Sequence, residues 1–280
     1  MIDYEKKYQE FLNRYNKALN IINDNQFFIY GAGFAASRFY RCLVDLHCEN
    51  NVAGFAVTEW KPKQVSLFEK KIVPIESVSR DTFVLIAAHN RTGHEMQDIL
   101  VNNGFKNFLN VYPYIMEMEY GLPVKINQLV DVNNFINNML STFYYPAFIY
   151  LAIDSYLNQN ELGIDLYKRS TATYTSMQTA EIRWQQFKDK IDIYTKDFAL
   201  NEDYPIKINL KHNILFDGMH RLMLAKYFKI PQIYADIYDF EKKIYFKAFS
   251  AIISTNTHIE EFCNPGEVEL VKNTMSQLQS

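Results

Sequence analysis

Gln26-Phe-Phe-Ile-Tyr30 is a short apolar run that stops on glycine, and few architectures can use it. It is too short for a buried helix and is followed at once by Gly31-Ala-Gly33, after which a helical pattern runs to about Leu46. A strand that ends on Gly-x-Gly and turns directly into a helix is the opening of a parallel β-α-β unit. The pattern then repeats. Apolar runs recur at Asn51–Val57, Lys71–Pro74, Thr82–Ala88 and Phe108–Val111, with a helical stretch over 93–103. Short strands alternating with helices specify a mostly parallel α/β sheet. The spacing predicts this unit over 25–113, preceded by one amphipathic helix within 1–24 (Tyr4, Tyr8, Phe11, Tyr15, Leu19, Ile22).

Beyond Pro113 the periodicity changes. Residues 114–180 read as a mostly helical bridge, rich in Asn, Tyr and Leu. An amphipathic helix is expected over 181–198, carried by Ile182, Trp184, Phe187, Ile191, Tyr194 and Phe198. A strand, turn and strand follow at Tyr204–Leu210 and Ile214–Phe216, then a helix over Met219–Phe228 and a strand over Ile233–Tyr238. With 280 residues, two compact domains are the natural expectation, the second spanning 181–280.

Composition narrows the classes of function. Lys+Arg 29 against Asp+Glu 32 leaves a charge of −3, which offers no overall field for a polyanion, so neither nucleic acid nor a membrane is an expected partner. Three cysteines build no disulfide framework, and no signal-like segment or long apolar run is present, so a reduced, cytoplasmic setting is expected. There is no Gly-x-x-x-x-Gly-Lys loop, no His-Glu-x-x-His and no Gly-x-Ser-x-Gly elbow, and the six histidines show no ligand spacing. Phe143–Tyr150 is strongly aromatic and reads as core or as a homodimer contact.

Two turns carry chemistry. At Gly31-Ala-Gly33 a strand delivers backbone N–H groups to a helix start, a geometry suited to a pyrophosphate, and Ala36 allows close helix–strand packing. An acidic partner for a ribose is expected about twenty residues on, where Glu59 is the candidate. His89, Asn90 and Arg91 follow the cleanest strand at the edge where ligands of open sheets collect. At Asp217-Gly218-Met219-His220-Arg221, a second strand feeds a helix start. Gly218 admits a close ligand, with Met219 beside it; Arg221 supplies a forked cation, and His220 a donor. Asp217 can hold Mg2+ or take a proton from an attacking hydroxyl. A cation at a helix start opposes the macrodipole, and a bound anion would reverse that penalty.

The residues IYGAGFAASRFY, VAGFAVTEWKPKQ and VLIAAHN resemble the small Rossmann-like domain of bacterial surface-glycan and sugar-nucleotide enzymes. Where those domains carry an Asp-rich turn, this chain has Thr58-Glu59-Trp60. The stretch RWQQFKDKI … YPIKINLKHNILFDGMHRLMLAKYFKIPQIYADIYD resembles the ParB/sulfiredoxin-like fold, over about residues 180–240. That resemblance places nucleotide phosphates on Gly218, His220 and Arg221 and implies a kinase that phosphorylates a small hydroxyl compound, with Glu181 as candidate base. Met219 stands where sulfiredoxins carry their catalytic cysteine, and the helix-turn-helix and Glu-Asn-x-x-Arg motif of ParB proteins are missing.

The expected fold is therefore α/β: a small parallel Rossmann-like sheet, a helical bridge and a ParB/sulfiredoxin-like α+β domain. The expected function is phosphoryl transfer from ATP or another nucleoside di- or triphosphate, with Mg2+, to an amino acid or sugar-type metabolite. The resemblance points to surface-polysaccharide biosynthesis. Two other readings stand beside it: a non-catalytic nucleotide or nucleotide-sugar sensor, and an NAD(P)-dependent sugar-nucleotide enzyme centred on Gly31 and Gly33. No Tyr-x-x-x-Lys pair supports the last.

Overall fold

A computed structural model describes residues 4–59, 65–137, 143–196, 205–211, 214–240 and 258–280, with the side chains of Asn90 and Arg91 outside the description. The protein is mixed α/β with two mixed sheets, and it divides into two compact units, Glu5–Leu122 and Pro123–Ser280 with Met1–Tyr4.

In the first unit, α1 (Tyr4–Asp24) precedes β1 (Phe27–Tyr30), α2 (Phe34–Asp45), β2 (Val52–Val57), β3 (Ser66–Leu67), β4 (Lys70–Pro74), β5 (Phe83–Ile86), α3 (Asn90–Asn102), β6 (Phe108–Asn110) and α4 (Ile115–Tyr120). The strand order is β3-β4-β2-β1-β5-β6, parallel except for the short antiparallel edge β3. Strand alternation assigns the faces. Phe27, Ile29, Phe55 and Leu85 enter one core with residues of α1, α2 and α4, whereas Tyr30, Ala56, Val84 and Ile86 enter another with Met96 and Leu100 of α3. The unit extends past Pro113 because Ile115 and Met118 of α4 are buried in the first core, and α1 joins it through Tyr15, Ala18 and Ile22.

The second unit contains β7 (Lys125–Asp131), α5 (Val132–Asn137), α6 (Tyr145–Leu157), α7 (Leu162–Ala172), α8 (Met177–Lys196), β8 (Ile206–Asn209), β9 (Ile214–Asp217), α9 (Met219–Tyr227), β10 (Gln232–Ile237) and α10 (Pro265–Leu278). Its sheet runs β7-β10-β8-β9, with β10 parallel to β8 and the other pairs antiparallel. Residues 125–131, expected to be helical, are a strand whose backbone partners lie on β10. None of its residues is fully buried, and its apolar residues Ile126, Leu129 and Val130 do not alternate, so it lacks the pattern that marks strands in sequence. The helices of the expected bridge share one core with this sheet: Phe148, Ile153, Leu166 and Trp184 pack with Ile206, Leu222 and Ile233. The aromatic segment is core, since Tyr145, Phe148 and Ile149 are buried on α6.

A close approach fixes α6 against α7. A Cβ at Gly163 would overlap the Leu151 carbonyl, and the Gly163 N–H donates to Ser155 Oγ at 2.8 Å. Only glycine lets the two backbones come this near. The contact holds Tyr145 and Tyr167 in fixed relation, and both rings border His220.

Candidate anion-binding site

The Asp217–Arg221 turn is built by β9 and α9. β9 pairs with β8, and an irregularity in register at Lys207/Ile208 sets Asp217 opposite Lys207. Gly218 then takes a left-handed conformation (φ 103°), turning the chain into α9. A Cβ there would lie 2.8 Å from Ile206 Cβ and nearer still to its methyl group, so glycine is required by both backbone and packing. No side chain caps the start of α9, so its first N–H groups remain directed toward the turn.

These residues line a cavity of about 190 Å3. Asp217, Gly218, Met219, His220 and Arg221 all border it, together with Leu215, Phe216, Tyr145 and Lys190. The sequence-derived turn is thus brought together whole. Two of the chemically informative walls were missed: Lys190 on α8 and Tyr145 on α6. A signal for Lys190 was present. It follows Phe187 by three residues and precedes Ile191 and Tyr194, on the margin of the apolar stripe that buries α8.

The described lining of the cavity carries two cations and one carboxylate. Arg221 donates through Nη1 to the Pro205 carbonyl at 2.9 Å and through Nη2 to Asp217 Oδ2 at 3.1 Å. Lys190 is the second cation. Burial and the neighbouring Arg221 guanidinium push its pKa down, with Asp217 pulling the other way. Among the described residues, one carboxylate lines the cavity beside two cations and the positive end of a helix, a setting that favours an anion.

His220 has a different role from the one expected. Its Nε2 lies 2.9 Å from the Tyr167 hydroxyl, and its ring packs 4.5 Å from Phe187 and 6.2 Å from Tyr145, centroid to centroid. Burial, reinforced by Lys190, Arg183 and Arg221, pushes its pKa down to about 3. The ring is neutral at physiological pH, so it supplies no cation to a phosphate and is a poor proton donor to a departing oxygen. It is a positioned wall of the cavity.

Glu181 is not brought to the cavity. It stands nine residues before Lys190 on α8, about two and a half turns away and so on the opposite face. It pairs with Lys168 Nζ at 2.7 Å and accepts from Gln185 at 3.1 Å, and those contacts lower its pKa. A carboxylate so engaged is a weak base.

In the first unit, β1 lies between β2 and β5, the point where strand order reverses. Gly31 follows it at φ 119°, its N–H donating to the Ala56 carbonyl at 2.8 Å, and a Cβ there would press on the Ala87 carbonyl at 3.3 Å. Gly33 starts α2 with ordinary extended backbone and open space where a Cβ would stand. Neither α2 nor α3 has a side-chain cap at its start. Glu59 is exposed, two residues beyond β2. His89 precedes α3 and meets Tyr112 edge-on at 5.2 Å, whereas the expected roles of Asn90 and Arg91 depend on side chains outside those described, as is Trp60 altogether.

The chain matches no protein-family model, no curated protein and no solved structure. Among the described residues, no helix is long and apolar enough to cross a membrane, and no group of three or more His, Cys, Asp or Glu side chains could hold a metal ion. Among the described residues, Asp217 is the only carboxylate lining the cavity. That donor set suits Mg2+ only in its common mode, with one protein carboxylate and the remaining ligands from substrate phosphates and water.

Proposed function

We propose that this protein is a nucleotide-dependent phosphotransferase that phosphorylates a hydroxyl of a small metabolite at the Asp217–Arg221 turn. The observation that carries the reading is the convergence of Arg221, Lys190, the uncapped start of α9 and Asp217 on one cavity. At about 190 Å3 it is smaller than pockets that enclose whole drug-sized ligands, roughly 300 Å3 and upward, so it suits the phosphates of a nucleotide while the nucleoside lies outside. Phosphoryl transfer asks for positioning and charge neutralisation above all. Arg221 and Lys190 would neutralise the transferring group, and the α9 amides would orient it. Asp217 would take the acceptor hydroxyl proton as the new P–O bond forms and the bond to the leaving phosphate breaks. Mg2+, when bound, would shield charge between the phosphates.

The ParB/sulfiredoxin-like assignment of the second unit, the nucleotide-sugar or NAD(P) expectation for Gly31 and Gly33, and an acceptor from surface-polysaccharide chemistry belong to the same proposal through resemblance. One observation favours a second reading, a binding module without turnover: Asp217 is already engaged by Arg221, and His220 is held neutral.

The test is release of ADP from ATP, or of AMP from ADP, with Mg2+ on addition of serine or simple sugars, beside binding of the same nucleotides by thermal shift. Arg221→Ala should weaken nucleotide binding at least tenfold, the loss of a charge-assisted contact worth about 1.5–3 kcal/mol. Saturable binding with no acceptor-dependent turnover would leave the sensor. Unchanged nucleotide binding by Arg221→Ala would remove this site from consideration.

A further inference from the structure

The Arg221 guanidinium already holds a carboxylate. Asp217 reaches it at 3.1 Å, yet the Asp217 side chain is 50% exposed while that of Arg221 is only 14% exposed. The cation is anchored, because its other arm is fixed on the Pro205 carbonyl. The anion sits at the mouth and can swing away. Ion pairs with one solvent-exposed partner contribute little, commonly under about 1 kcal/mol, so a better anion can displace this one.

Resting on the phosphotransferase reading, we infer that Asp217 is a specificity-determining residue: an internal competitor that admits multiply charged phosphoryl ligands to Arg221 and turns away single carboxylates. A monocarboxylate replaces Asp217 with its equal and gains nothing at Arg221. A phosphoryl group brings further charge, and Lys190 borders the same cavity to receive it. Among the described residues, no hydrogen bond or ion pair occupies the Lys190 ammonium, and burial first and the Arg221 guanidinium second hold its pKa down, with Asp217 only partly offsetting them. The α9 amides add donors that a phosphoryl oxygen can use.

The exchange has a second effect. A phosphoryl ligand on Arg221 holds Asp217 away from it, so the carboxylate is released to act as base or magnesium ligand with the donor already in place. The donor would then bind before the metal and the acceptor.

Calorimetric titration of the full chain with inorganic pyrophosphate, without metal, tests the exchange in four proteins: wild type, Asp217→Asn, Arg221→Ala and the double variant. Asp217→Asn should bind about two- to fivefold more tightly, since it removes the competitor, and the gain should vanish when Arg221 is absent. A gain that persists in the Arg221→Ala background would mean general charge repulsion and would overturn the inference. So would unchanged or weaker binding by Asp217→Asn. A crystal of the wild-type protein soaked with pyrophosphate provides a measurement that does not depend on the variants. Asp217 parted from Arg221 supports the exchange, and the pair intact beside bound pyrophosphate defeats it. If none of the four proteins binds pyrophosphate and none binds ATP, the phosphotransferase reading falls with the inference; if wild type binds both while the pair stays closed, the inference falls alone.

Discussion

The protein uses the same local device twice, a strand that ends on glycine and turns into an uncapped helix, but surrounds the two copies differently. At Gly31 the would-be side chain meets the Ala87 carbonyl, Ala36 and the tip of Met96. At Gly218 the backbone rests on Ile206, and the space in front is bordered by Asp217, Arg221 and Lys190. Backbone geometry is therefore shared, while ionised side chains distinguish the second. A helix start supplies donors and about half a charge, which orients an anion. Selecting one anion over another requires side chains that differ in charge and burial, and only the second turn displays them among the described residues.

Substitutions at the glycines break the comparison most sharply. Gly218→Ala combines left-handed strain with overlap on Ile206 and should cost about 2–4 kcal/mol, read by chemical denaturation. Gly31→Ala shares the positive φ but meets its neighbour at 3.3 Å and should cost about 1–2 kcal/mol. Gly33→Ala, in open space at an ordinary φ of −94°, should cost under about 1 kcal/mol.

Acid sharpens the contrast next. The folded protein holds His220 at a pKa of about 3 against 6.5 for a free imidazole, so below pH 6.5 the unfolded chain takes up a proton that the folded ring refuses. Its contribution to stability is full above pH 6.5 and falls as the pH drops toward 3, by at most about 1.4 kcal/mol per unit. Denaturation midpoints followed from pH 7 to pH 4 should decline more steeply in wild type than in His220→Gln. Equal slopes would place the ring in water. The smallest effect belongs to Glu181→Gln. It removes a half-exposed pair with Lys168 and should change stability by under about 1 kcal/mol, leaving acceptor-dependent turnover as it was.

Much of this was legible in the chain itself. β1, β2 and β5 are buried on both faces, so their apolar runs are continuous and their boundaries are marked by Gly and Asn. The turn at Asp217–Arg221 was equally visible, because its residues are adjacent in sequence. β7 was hidden for the opposite reason. As an edge strand it draws its order from hydrogen bonds to β10, and those leave no trace in hydropathy. Tyr145 and Lys190 reach the cavity from two other helices, so their neighbourhood with the turn is set by tertiary packing; for Tyr145 that includes the Gly163 contact of α6 with α7. His220 was visible as a residue and misleading as chemistry: its environment, supplied by Tyr167, Phe187 and Lys190, decides its charge.

The pairing of β7 with β10 also bears on the order in which the protein can be made. Asp131 meets Gln232, so the second sheet waits for about a hundred further residues to leave the ribosome. The strands of the Glu5–Leu122 unit pair among themselves, so its sheet can be completed before the second unit is translated. Its partner must keep the Lys125–Asp131 strand in reserve until the matching edge is translated, and the charged residues at its two ends, Lys125 and Asp131, oppose premature edge-to-edge association during that wait.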